Sequence, residues 1–126
     1  MLIYKADDDQ EARPMMRPQE RATAAKLTRA AREMQPHAVK AAALLKALAN
    51  EQRLMILCHL VAGPLSVGQL NDRVTLSQSA LSQHLAVMRS CGIVTTRREA
   101  QTVWYALAPG IVVRLLALLH QEFCGR

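Results

Sequence analysis

The sequence predicts a mainly α-helical chain with one β-hairpin near its C-terminal end, arranged as a winged helix-turn-helix. Three observations carry that expectation. Apolar residues make up 51% of the 126 positions and aromatics only 3%, so the core must be built from Leu, Ala, Val, Ile and Met, an aliphatic mixture that leans helical. Apolar residues recur at helical spacing along most of the chain. After Gly92 the pattern changes to β-branched alternation on both sides of a short turn, as in a hairpin. Two helices joined by a tight turn and followed by a hairpin are the helix-turn-helix and its wing.

The elements follow in order. Residues 1–18 hold Asp7, Asp8 and Asp9, two prolines and no period, and are expected to be a flexible N-terminal tail. Residues 19–126 are expected to form one DNA-binding and dimerisation domain. Residues 19–34 are good helix formers, Pro36 punctuates, and 37–49 form a second helix. Asn50 is placed to cap a third, Glu51–Ala62, whose Leu54, Leu57, Cys58 and Val61 fall at i, i+3, i+4 and i+7 and so form an apolar face. Gly63-Pro64 ends it. Ser66 caps a short helix, Val67–Arg73, and Val74–Leu76 turns the chain. Ser77 caps the fifth helix, Gln78–Cys91, with Leu81, Leu85 and Met88 turned to the core and Gly92 at its end. Ile93–Arg98 and Thr102–Leu107 are the strands, joined through Glu99-Ala100-Gln101. Pro109 sits near the start of the sixth helix, which runs through about Cys124 with Val112, Leu115, Leu116, Leu119 and Phe123 on one side.

Charge narrows the function. The net charge is +6; residues 1–20 carry 3 basic against 5 acidic side chains, and the remainder 13 against 5, or +8. A strongly basic folded part favours a polyanionic partner. No apolar run approaches the roughly 20 residues of a membrane span, and MLIYKADDDQ lacks the basic-then-apolar pattern of a signal peptide. A cytoplasmic protein with no membrane association is expected. Nothing places a nucleophile beside a base, so no enzyme and no cofactor are expected.

The fifth helix is the candidate DNA reader. Its face away from the core offers Gln78, Ser79, Ser82 and Gln83, with Arg89 further along. Gln pairs bidentately with adenine and Ser serves any base edge, while N-terminal N–H groups suit phosphates. In the hairpin, Arg97 and Arg98 before the turn and Gln101 and Thr102 after it suit phosphates or an adjacent minor groove. Trp104 and Tyr105 point to opposite faces of their strand, and one of them is expected to anchor the wing to the core. His37 and His84 read as surface or capping imidazoles.

Three cysteines in an unsignalled chain do not make a disulfide framework. Free thiols, a switch and metal ligands all remain open. No C-x-x-C is present, which removes a thioredoxin-type role. His120 and Cys124, at i and i+4, share a helix face, and with Cys58 they are the alternative, a metal shell.

LLKALANEQRLMILCHL (44–60), LSVGQL (65–70), LSQSALSQHLAVMRSCGIV (76–94) and TRREAQTVWYAL (96–107) resemble the ArsR/SmtB family of winged-helix repressors over about residues 37–124. LSQSALSQHL followed by EAQTVWY is most similar to the HlyU/BigR/SqrR branch, which includes thiol and persulfide sensors. The resemblance implies a homodimer whose first and last helices pair, and a double-stranded operator as partner. The family's Cys-x-Cys metal motif on the third helix meets Leu57-Cys58-His59-Leu60 here, with one Cys. Its zinc site early in the last helix meets Gly110-Ile111-Val112-Val113, with no ligand. Both departures weaken metal sensing. In the thiol-sensing branch one Cys lies on the third helix and its partner near the end of the last, and Cys58 and Cys124 match those places. The resemblance therefore implies a repressor whose operator affinity changes when oxidants or reactive sulfur species bridge Cys58 and Cys124. It implies no role for Cys91.

Overall fold

A computed structural model describes residues 16–125, so most of the expected tail, residues 1–15, lies outside the described residues. The chain divides into two compact units, one ending at Val39 and one from Lys40 onward.

In the first unit, α1 (Pro18–Arg29) begins with Pro at its first position, where a missing N–H costs nothing. Glu20 Oε1 reaches back to Arg17, accepting from its Nε at 2.7 Å and its backbone N–H at 3.3 Å. That side-chain hydrogen bond, then the backbone one, holds the Glu20 carboxyl below the ordinary carboxylate range. The single helix expected over 19–34 is broken. The chain leaves helical geometry at Ala30 (φ −90°, ψ 5°), resumes as α2 (Ala31–Met34), and tightens to a 3₁₀ turn over Gln35–His37. Pro36 lies inside that turn, where its fixed φ is tolerated.

The second unit is built on capped helices. α3 (Ala38–Leu48) leads to Asn50, whose Oδ1 accepts from Arg53 N–H at 3.0 Å and starts α4 (Glu51–Leu60). Ser66 and Gln69 cap each other reciprocally at the start of α5 (Val67–Arg73), a capping box. Asn71 Nδ2 donates to the Leu76 carbonyl at 2.9 Å and holds the turn. Ser77 Oγ accepts from Ala80 N–H at 3.2 Å and opens α6 (Gln78–Ser90). Gly92, at φ +74°, ends it. A residue with a Cβ resists that left-handed geometry.

Three strands form one antiparallel sheet in the order β1-β3-β2: β1 (Leu65–Ser66), β2 (Val94–Glu99) and β3 (Thr102–Leu107). The hairpin register runs from Val94↔Leu107 to Glu99↔Thr102. The turn therefore holds two residues, Ala100 and Gln101, and not the expected three. β1 is an addition to the expected order; Leu65↔Tyr105 and Ser66↔Trp104 dock it on β3. Last comes α7 (Ile111–Cys124).

The core draws on every helix of this unit and on β1 and β2, with Tyr105 and Leu107 of β3 packed against it. Ala47 and Leu48 of α3, Ile56, Leu57 and Leu60 of α4, Leu65, Leu70, the α6 row Leu81, Leu85 and Met88, Ile93, Val94, and Val112 and Leu116 of α7 are buried together. The α6 row is the expected one. On α4 the expected face is corrected: Leu57 is buried and Leu54 half-buried, but Cys58 and Val61 are exposed, and Ile56 and Leu60 take the inward places. On α7, Val112 and Leu116 point inward and Leu115 is half-buried, while Leu119 and Phe123 of the expected stripe are exposed.

Candidate nucleic-acid interface

The α6 helix is held from below and open above. Its Leu81, Leu85 and Met88 are fully buried, which turns Gln78, Ser79, Ser82 and Gln83 to solvent together. Thirteen residues make a rod about 20 Å long, enough to lie along a major groove. Ser79 Oγ lies 3.3 Å from Ser77 Oγ, which also caps Ala80 N–H, so the helix entry carries two hydroxyls beside first-turn N–H groups that have no partner within the helix. Arg89 is exposed near the other end.

The wing rises beside it. Arg97, Arg98, Gln101 and Thr102 are all exposed. Arg97 pairs across the strands with Trp104 and Arg98 with Val103. Neighbouring positions on a strand point to opposite faces, so the two arginines flank the ribbon. Arg97 Nε lies 3.4 Å from Glu99 Oε2. Tyr105 packs against the core and is the expected anchor. Trp104, also half-buried, lines a shallow open pocket of about 210 Å³ with Pro64, Thr95, Thr96, Arg97 and Ala106.

All three cysteines are free thiols and all are exposed: Cys58 on α4, Cys91 at the C-terminal cap of α6, and Cys124 at the end of α7. Leu57 of α4 and Leu116 of α7 belong to one buried core. Among the described residues, no group of three or more His, Cys, Asp or Glu side chains is gathered to hold a metal ion. The alternative set of Cys58, His120 and Cys124 is thus not assembled within one chain. No helix of the described residues is long and apolar enough to cross a membrane. His84 was not legible as part of any contact, yet its Nδ1 lies 3.3 Å from Arg53 Nη1. The two residues stand 31 positions apart, and no local pattern links them.

A buried-face helix presenting amides and hydroxyls, preceded by a short helix and a tight turn and flanked by a basic ribbon, defines a winged helix-turn-helix DNA-binding regulator. Residues 50–96 match the model of the bacterial regulatory protein, arsR family. The transcriptional activator HlyU of Vibrio cholerae is 55% identical over 92 residues, covering 73% of this chain and 85% of that protein. The solved reduced form of HlyU superposes with a TM-score of 0.68 over 73% of this chain and 97% of that one. A biofilm growth-associated repressor of Agrobacterium fabrum is 45% identical, covering 73% of this chain and 79% of that protein. The solved homodimeric winged helix-turn-helix DNA-binding domain of a possible ArsR-family regulator from Mycobacterium bovis is 31% identical, with a TM-score of 0.64 over 71% and 83% of the two chains. The chain belongs to the arsR family of bacterial transcriptional regulators, and its relatives are named as regulators, not enzymes.

Proposed function

We propose that the chain is a cytoplasmic transcriptional repressor that acts as a homodimer and senses thiol oxidation or sulfane sulfur. Reduced protein grips operator DNA by setting Gln78, Ser79, Ser82 and Gln83 of each α6 against base edges. Arg89, Arg97, Arg98, Gln101 and Thr102 take the flanking backbone. In a two-fold dimer the two α6 helices meet half-sites roughly 34–36 Å apart. The inducer acts at Cys58 and Cys124. With hydrogen peroxide, the two thiols give up two protons and two electrons to form one disulfide, and the peroxide becomes two waters. With a persulfide donor, Cys58 first takes a sulfane sulfur and the donor leaves as its thiol. The Cys124 thiolate then attacks Cys58 Sγ, forming the Cys58–Cys124 disulfide and expelling the outer sulfur as hydrosulfide. Retention of further sulfane sulfur gives a longer bridge.

The observation that carries this reading is the exposure of both thiols on helices that share one core. A reagent in solvent reaches them, and a bond between them acts on the scaffold that holds α6. A direct disulfide requires Cα atoms about 4.4–6.8 Å apart, and inserted sulfur atoms relax that limit. A coupling of about 2 kcal/mol changes DNA affinity roughly thirtyfold.

The test is operator binding before and after treatment with a persulfide donor or peroxide, alongside intact mass. Cys58→Ser and Cys124→Ser should each bind DNA normally when reduced and fail to release it on treatment. Release retained in both variants would remove the switch.

A further inference from the structure

Arg53 and His84 take no part in the reading face or the thiol pair, yet they join three helices. Arg53 sits in the first turn of α4, half-buried, with its backbone N–H on Asn50 Oδ1. Its Nε donates to the Ala47 carbonyl at 2.6 Å, in the last turn of α3. Its Nη1 lies 3.3 Å from Nδ1 of His84 on α6. A guanidinium carries donors only, so Nδ1 is the acceptor and the ring proton in this contact sits on Nε2. The directions of Nε–H and Nη1–H are fixed within one plane. One rigid group therefore ties the α3–α4 corner to α6.

The rest of the α6 seat is aliphatic: Leu81, Leu85 and Met88. Apolar contact holds a helix in depth but is not directional. A hydrogen bond is directional, and this one falls on the residue after Gln83. Reading a base edge demands side chains placed within about 0.5 Å, which the aliphatic row alone does not specify.

The geometry points to Arg53 and His84 as positioning residues that fix the rotation of α6, so that Ser82 and Gln83 meet the bases, without touching DNA themselves. This rests on α6 being the reading helix, as proposed above.

The experiment uses full-length reduced protein and two duplexes of equal length. One is enriched from a random pool by the unaltered protein; the other has random sequence. Affinities are read by fluorescence anisotropy at one salt concentration. His84→Ala should lose about tenfold on the enriched duplex and less than about twofold on the random one. His84→Asn keeps an acceptor near the place of Nδ1 and should recover binding to within about threefold. Arg53→Lys keeps the charge but loses the fork, and should behave as His84→Ala. Equal losses on both duplexes, no loss on either, or no recovery with His84→Asn would overturn the clamp.

Gln83→Ala and Ser82→Ala separate this inference from the reading it rests on. Lost preference in those variants with a harmless His84→Ala removes the clamp and leaves the reading helix. Intact preference in those variants with loss in His84→Ala removes the assigned reading face and leaves the clamp.

Discussion

At Ala100 the backbone turns back on itself with φ +56°, in the left-handed region that a side chain with a Cβ resists at a cost of about 1–2 kcal/mol. This strain sits at the tip of the wing, between Glu99 and Gln101, where the chain is proposed to meet DNA. Glycine there removes the steric cost, and its greater freedom in the unfolded chain returns about 0.4–1 kcal/mol. Ala100→Gly is therefore expected to raise stability by about 0.5–1 kcal/mol, seen as a melting temperature higher by a few degrees. An unchanged or lower melting temperature would mean that the tip relaxes at no cost. Nothing in the sequence marks the position, because Ala is not a residue that two-residue turns select. The exact pairing of Glu99 with Thr102 forces the tight turn, and that pairing is a property of the two strands together.

The helices and the wing show which features of the elements were legible and which were not. The caps at Asn50, Ser66, Ser77 and Gly92 were all readable, because a cap is settled by four or five consecutive residues. The buried row of α6 was readable because its other face is polar. On α4 the period alone was ambiguous: Leu54, Met55, Ile56, Leu57, Cys58, Leu60 and Val61 give two overlapping apolar rows. The core took Ile56, Leu57 and Leu60, leaving Cys58 outside, a choice made by the neighbouring elements. The strand β1 was missed because two residues carry no period; it exists only because Tyr105 and Trp104 offer partners.

The wing also sets a test. Since Arg97 and Arg98 flank the ribbon, each is proposed as a separate phosphate contact, and each such contact contributes about 0.9 to the slope of log affinity against log salt. Arg97→Ala, present twice in a dimer, should flatten that slope by about 1.8 and weaken all duplexes alike. Gln83→Ala should keep the slope and relax preference by about 1–3 kcal/mol at one base position of each half-site. If Arg97→Ala altered sequence preference and left the slope unchanged, the ribbon would be a base reader and the roles of the two elements would exchange.

For the molecule as a whole, the last helix carries more apolar surface than the described residues cover. Val112 and Leu116 are buried, but Ile111 is 47% exposed, Leu118 59%, Leu119 39% and Phe123 81%. Side chains of this size left in water suit an interaction surface, and the homodimer proposed above, like that of the relative from Mycobacterium bovis, would cover it with another copy. In a two-fold interface each substitution acts twice. Burying one large apolar side chain stabilises by about 1.5–3 kcal/mol, so Phe123→Glu removes at least about 3 kcal/mol from the dimer and adds two carboxylates that resist desolvation. The dimer dissociation constant should rise by at least about a hundredfold, visible by analytical ultracentrifugation. Phe123 adjoins Cys124, so the proposed thiol bridge and the proposed dimer contact lie at the same end of α7. A monomeric Phe123→Glu protein should still fold around the buried core, yet bind a two-half-site duplex no better than a single half-site. A variant that remains dimeric at the same concentration, with unchanged preference for two half-sites, would move the interface off this end of α7. It would also leave Cys124 with no route to the spacing of the two reading helices through the dimer contact.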